Sequence, residues 1–120
     1  MNDINTPLQV IKDRVRAFVD ERDWDQFHHP KNIAMNLACE AAELMELMVW
    51  QSNEEIEQAL KNDPGYKQKF LDEIGDIVFN LMVLANRIEG CDLTNVFHEK
   101  LKKTAARYTV EKSKGSCEKR

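Results

Sequence analysis

Four carboxylates stand in two pairs, each pair one helical turn apart: Glu40 with Glu43, and Glu73 with Asp76. Residues three apart on a helix share a face. Glu40 falls inside an apolar stripe, Ile33, Leu37, Leu44 and Leu47, at helical spacing, with Glu43 at its edge. An ionised carboxylate in such a stripe is costly without a partner, so Glu40 calls for a cation or a proton. Glu73 and Asp76 share their face with Asn80, Val83 and Arg87, beside an apolar line of Phe70, Ile74, Ile77, Leu81, Leu84 and Ile88. If the two helices face each other, four carboxylates converge. Oxygen ligands without His or Cys select a hard cation, Mg²⁺, with Mn²⁺ as a substitute. Mg²⁺ is usually shared between carboxylates and substrate phosphates, and a pair of such ions suits displacement at phosphorus. A di-iron bundle needs Glu-x-x-His, which neither pair offers, and His98 stands apart. The plain alternative is a pair of solvated acidic faces. Spacing alone leaves both open.

These residues need helices to position them, and the chain reads as all-α. Thr6-Pro7 has the form of a cap and first turn for a helix carrying Leu8, Ile11, Val15, Phe18 and Val19, fading near Arg22. A connector without periodicity, 23–30, follows, and Pro30 opens a second helix expected to run to about Trp50. Ser52 caps a short third helix to about Lys61, stopped by Asn62-Asp63-Pro64-Gly65. A fourth helix is expected from about Tyr66 to Glu89, and a fifth, capped by Asp92 or Thr94, to about Tyr108. After that an unstructured end is expected. The segment Ile77–Ala85 is apolar almost all round, which requires cover on several faces. The expectation is a bundle of about five helices, a core four-helix arrangement completed by a dimer or tetramer. An unusually central helix within one subunit is the other way to cover that segment.

The totals agree with one domain, over 1–112, and a basic, disordered tail, 113–120. The 120 residues carry a net charge of −4. From Lys100 onward eight basic residues oppose Glu111 and Glu118, so the body of the chain is strongly acidic. An acidic body excludes a general binder of nucleic-acid polymers, which must neutralise phosphates. Cys39, Cys91 and Cys117 are an odd, scattered set without CxxC spacing, which fits a reducing, cytoplasmic setting. No run is apolar for long enough to span a membrane.

The two motifs, Glu40-Ala41-Ala42-Glu43 and Glu73-Ile74-Gly75-Asp76, resemble the ExxE and ExxD signature of the all-α nucleoside triphosphate pyrophosphatases, the MazG-like superfamily. Within it, Arg22-Asp23-Trp24-Asp25-Gln26-Phe27-His28, then Pro30, Asn32 and Gln51, are similar to the dCTP-pyrophosphatase branch. The resemblance spans about residues 8–112. It implies hydrolysis of a nucleoside triphosphate to monophosphate and pyrophosphate with Mg²⁺, in clearing unwanted deoxynucleotides. By the same resemblance Glu40, Glu43, Glu73 and Asp76 are the metal ligands and catalytic residues. Trp24, His28 and Trp50 then line the nucleotide pocket, Asn80 and Arg87 are further candidates on the carboxylate face, and Lys100, Arg107 and Tyr108 bind phosphates. Two positions depart from the pattern: Thr104 stands where the family has Asn, and Thr109 where it has Pro.

Read from the residues alone, Trp24 serves either to stack a base or to pack the connector onto the bundle. His28 is a surface or capping residue or a ligand contact, and Trp50 is expected to be partly core. Against the enzyme stands a non-catalytic helical interaction module, dimerising through the fourth helix. Glu40 in its apolar stripe favours the enzyme.

Overall fold

The computed structural model describes residues 1–120, and every regular element in it is helical. These are α1 (Leu8–Glu21), a 3₁₀ turn (Asp25–Phe27), α2 (Pro30–Glu46), α3 (Asn53–Asn62), α4 (Pro64–Arg87), α5 (Leu93–Arg107) and α6 (Val110–Ser113). The chain divides into two compact units, Met1–Glu89 and Gly90–Arg120.

In the first unit α4 is the hub, with α2, α1 and α3 packed against it, α2 most extensively. The all-α class is as expected, but the core draws on three helices, with α3 packed against α4 outside it. Val19, Ile33 and Val83, one from each of α1, α2 and α4, are buried together, with Val15, Phe79 and Leu84 around them. Asn86 ties α4 to α1 by a second means: its amide donates to the Lys12 carbonyl (2.9 Å) and accepts from the Arg16 guanidinium (3.3 Å).

Local chemistry sets the boundaries. Pro7, not Thr6, occupies the cap position of α1 and caps nothing with its side chain. Thr6 lies one residue too early to reach the helix's free N–H groups, and its hydroxyl accepts instead from the Asn2 N–H (3.0 Å). At the other end Asp23 adopts the left-handed region (φ 52°). The N–H groups of Asp23 and Trp24 turn back to the carbonyls of Asp20 and Val19. This paired arrangement more often uses glycine, but aspartate tolerates it.

α2 begins at Pro30 as expected and stops at Glu46, short of Trp50. The N–H groups of Leu47 and Met48 bond only three residues back, a tightening common at helix ends. The Tyr66 hydroxyl takes the Leu47 carbonyl (2.7 Å). Ser52 caps α3 by accepting from the Glu55 N–H (3.2 Å). Between α3 and α4 a single residue, Asp63, ends one helix and caps the next, accepting from the Tyr66 N–H (3.1 Å). Pro64, with φ already set for a first turn, therefore starts α4 two residues before the expected Tyr66.

Ile77–Ala85 is not fully covered. Met82, Val83 and Ala85 are buried, whereas Val78 and Leu81 remain 38% and 39% exposed. α4 is thus central to this unit, yet its apolar segment keeps a partly exposed side. Leu71 and Ile74 continue the exposed line at helical spacing.

In the second unit Asp92, rather than Thr94, caps α5 by accepting from the Asn95 N–H (2.9 Å). The expected unstructured end contains α6, a single turn in which the N–H groups of Lys112 and Ser113 bond to the Thr109 carbonyl. No helix is long and apolar enough to cross a membrane.

Candidate active site

The stripe that placed Glu40 among apolar residues is borne out on α2: Ile33 is buried, and Leu37, Glu40, Leu44 and Leu47 are all partly buried. The partner helix α4 brings Glu73 and Asp76. Carboxylate oxygens of Glu40, Glu73 and Asp76 lie within 4.8 Å of one another. Glu43 is exposed and stands outside this set of three, near enough to Glu40 and Glu73 to push both of their pKa values up. The Oε2 atoms of Glu40 and Glu73 are buried and meet no donor.

Such crowding is unfavourable for four negative charges. Burial first, then hydrogen bonding to and repulsion from Glu43, then repulsion from Asp76 and Glu73, raise the Glu40 pKa from 4.5 to about 7. Glu73 is raised in the same direction, by burial first and then by Glu43 and Asp76. Two buried oxygens without donors, in an all-carboxylate set held by two packed helices, fit a hard divalent cation.

The sign of the pH effect follows. The raised Glu40 value means that the fold takes up a proton between pH 4.5 and about 7. That share of stability is present below the lower value and is lost as pH rises through 7. A cation replaces the proton, so the rise in melting temperature on adding Mg²⁺ should be larger near pH 8 than near pH 6. Thermal melts at both pH values check this; equal shifts would contradict it.

Farther along α4 the same helical face reaches a second feature. A cavity of about 160 Å³ lies between α1, the 3₁₀ turn and α4, lined by Val15, Arg16, Val19, Asp20, Asp25, His28, Val83, Asn86 and Arg87. His28 faces it with a buried Nδ1 that has no hydrogen-bond partner. Trp24 packs edge-on against Phe18 (5.7 Å between ring centres) and His28 (6.4 Å). Trp24 thus packs onto α1 through Phe18, Phe27 stays exposed, and His28 lines the cavity.

Other candidates are placed differently from one another. The Asn80 amide donates to the Asp76 carbonyl one turn back (2.9 Å), within its own helix. Arg87 pairs with Asp25 (2.8 Å) and fastens the 3₁₀ turn to α4. Trp50 is 90% exposed, so the expected core role is wrong: α2 ends before it and the following turn carries it into solvent. Lys100, Arg107 and Tyr108 belong to the second unit. There the Arg107 guanidinium lies 5.3 Å from the centre of the Tyr108 ring, whose hydroxyl accepts from the Arg120 N–H (3.1 Å). Arg16, Asp20 and Asn86 were not singled out by sequence reasoning, and Asp25 stood only within the motif of residues 22–28. The one available signal was Asn86, a polar residue directly beyond the apolar run of α4.

Comparison with known proteins agrees with this geometry. Residues 35–119 match the MazG-like family. The chain is 37% identical over 111 residues to dCTP pyrophosphatase 1 of Rattus norvegicus, covering 92% of this chain and 64% of that protein. Against dCTP pyrophosphatase 1 of Homo sapiens the identity is 31% over 112 residues, covering 93% and 65%. The chain thus spans somewhat less than two thirds of the length of these relatives. A solved structure of a pyrophosphatase from Archaeoglobus fulgidus superposes with a TM-score of 0.78 at 27% identity, covering 91% of this chain and 98% of that one. The matched region contains both carboxylate pairs and the likeness runs along most of the chain: it belongs to the MazG-like family.

Proposed function

We propose that the chain is a Mg²⁺-dependent pyrophosphohydrolase. It would convert deoxynucleoside triphosphates, dCTP or a modified relative foremost, to monophosphate and pyrophosphate, and so clear unwanted nucleotides from the cytoplasmic pool. Residues 1–112 would form the working domain, with 113–120 a basic tail. The observation that carries the reading is the convergence of one oxygen each of Glu40, Glu73 and Asp76 within 4.8 Å, in a set where Glu40 Oε2 and Glu73 Oε2 are buried without a donor. The names of the relatives support the same chemistry.

When bound, Mg²⁺ supplies neutralisation of the triphosphate and acidification of an attacking water. The chain's own residues do the rest. Glu40, Glu73 and Asp76 hold the cation from two helices at once, and Glu43 closes the set from the rim. A carboxylate of the set that keeps one oxygen free takes the proton from the water. His28 and Trp24 bound the nucleoside side and Trp50 offers a stacking face; in the second unit Lys100, Arg107 and Tyr108 stay the phosphate-binding candidates that the resemblance implies. A purely structural helical module gives no reason to bury the Glu40 and Glu73 oxygens unsatisfied.

The test is a panel of common and modified deoxynucleoside triphosphates assayed with and without Mg²⁺. The expected result is Mg²⁺-dependent release of pyrophosphate from at least one of them; no release from any would reject the reading.

The exposed line of Leu71, Ile74, Val78 and Leu81 along α4 supports a homo-oligomer, dimer or tetramer. Sedimentation at micromolar concentration should then show no folded monomer. A stable species at the monomer mass of 14.0 kDa would contradict it.

A further inference from the structure

The cavity between α1 and α4 contains charge without net charge. Arg16 and Arg87 stand in its wall against Asp20 and Asp25. A wall of this kind does not attract a phosphate; it suits the neutral part of a nucleotide. Val83 and Arg87 lie seven and eleven residues beyond Asp76 on the same face of α4, so the cavity begins roughly 10 Å from the carboxylates along the helix axis at 1.5 Å per residue. That separation leaves room for a sugar between phosphates at one end and a base at the other.

The wall's polar groups are not all occupied. Asp25 is held by Arg87 (2.8 Å), and Arg16 donates to the Asn86 amide oxygen (3.3 Å). The two cations of the wall are thus taken by Asn86 and Asp25, and the Asp20 carboxylate stands exposed beside them on the cavity wall. His28 Nδ1 is the other open position, buried and without a partner. Buried polar atoms are rarely left unmatched unless a ligand or water completes them.

We propose that Asp20 is a specificity-determining residue that selects a base carrying an exocyclic amino group, with His28 Nδ1 meeting the adjacent ring edge. A carboxylate only accepts hydrogen bonds. Cytosine presents an amino donor at C4, where uracil and thymine present a carbonyl acceptor. Facing Asp20, the amino group gains a bond to a charged acceptor, and the carbonyl meets repulsion. The inference rests on the proposed function for its substrate class and adds the residue that reads the base.

The experiment compares kcat/KM for dCTP and dUTP in the wild-type protein and in the Asp20→Ala and Asp20→Asn variants. It also measures binding of dCMP and dUMP by titration calorimetry, which needs no turnover. Asp20 is exposed, so melting temperatures should stay near wild type. Losing a hydrogen bond to a charged group should lower kcat/KM for dCTP in Asp20→Ala by about ten- to a hundredfold, with dUTP unchanged or improved. Asp20→Asn, able both to donate and to accept, should bring the two substrates close together. A dCTP-to-dUTP ratio that Asp20→Ala leaves unchanged would overturn the inference while the proposed function stands. If neither triphosphate is hydrolysed, the proposed function fails for both, and Asp20 is judged on the monophosphates. A preference for dCMP that disappears in Asp20→Ala supports it, and any other pattern overturns it.

Discussion

Turnover should fall by well over tenfold, toward background, when Glu73 is changed to Gln or Asp76 to Asn, with the helices intact. The amide keeps the shape of each side chain and removes the charge that a hard cation requires. Changes at first-rank ligands commonly exceed those at supporting residues, which themselves cost ten- to a hundredfold. A second readout separates loss of metal from loss of fold. Glu40, Glu43, Glu73 and Asp76 repel one another, so neutralising one should leave the melting temperature without Mg²⁺ unchanged or raised. The stabilisation gained on adding Mg²⁺ should shrink at the same time. Glu43→Gln should behave alike, since the Glu43 charge acts on both Glu40 and Glu73. If both Glu73→Gln and Asp76→Asn kept more than about a tenth of the wild-type rate, the metal assignment would fall.

The next largest contrast is expected between the two tryptophans. Trp50 is 90% exposed, so Trp50→Ala removes little packing and should barely move the melting temperature. If its ring stacks on the base, worth about 1–3 kcal/mol, dCTP binding weakens by roughly five- to a hundredfold while pyrophosphate binding with Mg²⁺ holds. Trp24 differs because it packs edge-on against Phe18 and His28 and is only 40% exposed. Its truncation should lower stability as well, toward the about 3 kcal/mol at which buried aromatic losses begin. Both ligands should then weaken together for Trp24→Ala. Equal loss of dCTP and pyrophosphate in Trp50→Ala would remove the stacking role from Trp50.

Which parts were legible in the sequence depends on the range of the interaction concerned. Pro30, Ser52 and Asp92 act within one helical turn, and each marks its helix start as expected. The carboxylate pairs were legible for the same reason: a three-residue step sets a shared face, and the apolar stripe sets which way that face points. Glu40 is partly buried for that cause. Range defeated the rest. α2 stops early in company with the Tyr66 hydroxyl, nineteen positions away from the Leu47 carbonyl that it holds. Arg87 stood as a substrate-binding candidate on its helical face, yet its guanidinium is taken by Asp25, sixty-two residues earlier. The cavity needed α1 and α4 brought side by side, and no periodicity in either helix announces Asp20 beside His28. Thr6 shows a smaller failure: its residue type suits a cap, but proline directly after it shifts the helix start one place along.

The most direct test of the central claim is hydrolysis of dCTP with Mg²⁺ in water enriched in ¹⁸O, followed by mass analysis of the products. Attack at the α-phosphorus should give dCMP carrying one labelled oxygen and unlabelled pyrophosphate. Label in the pyrophosphate, or release of orthophosphate with dCDP, would contradict the account.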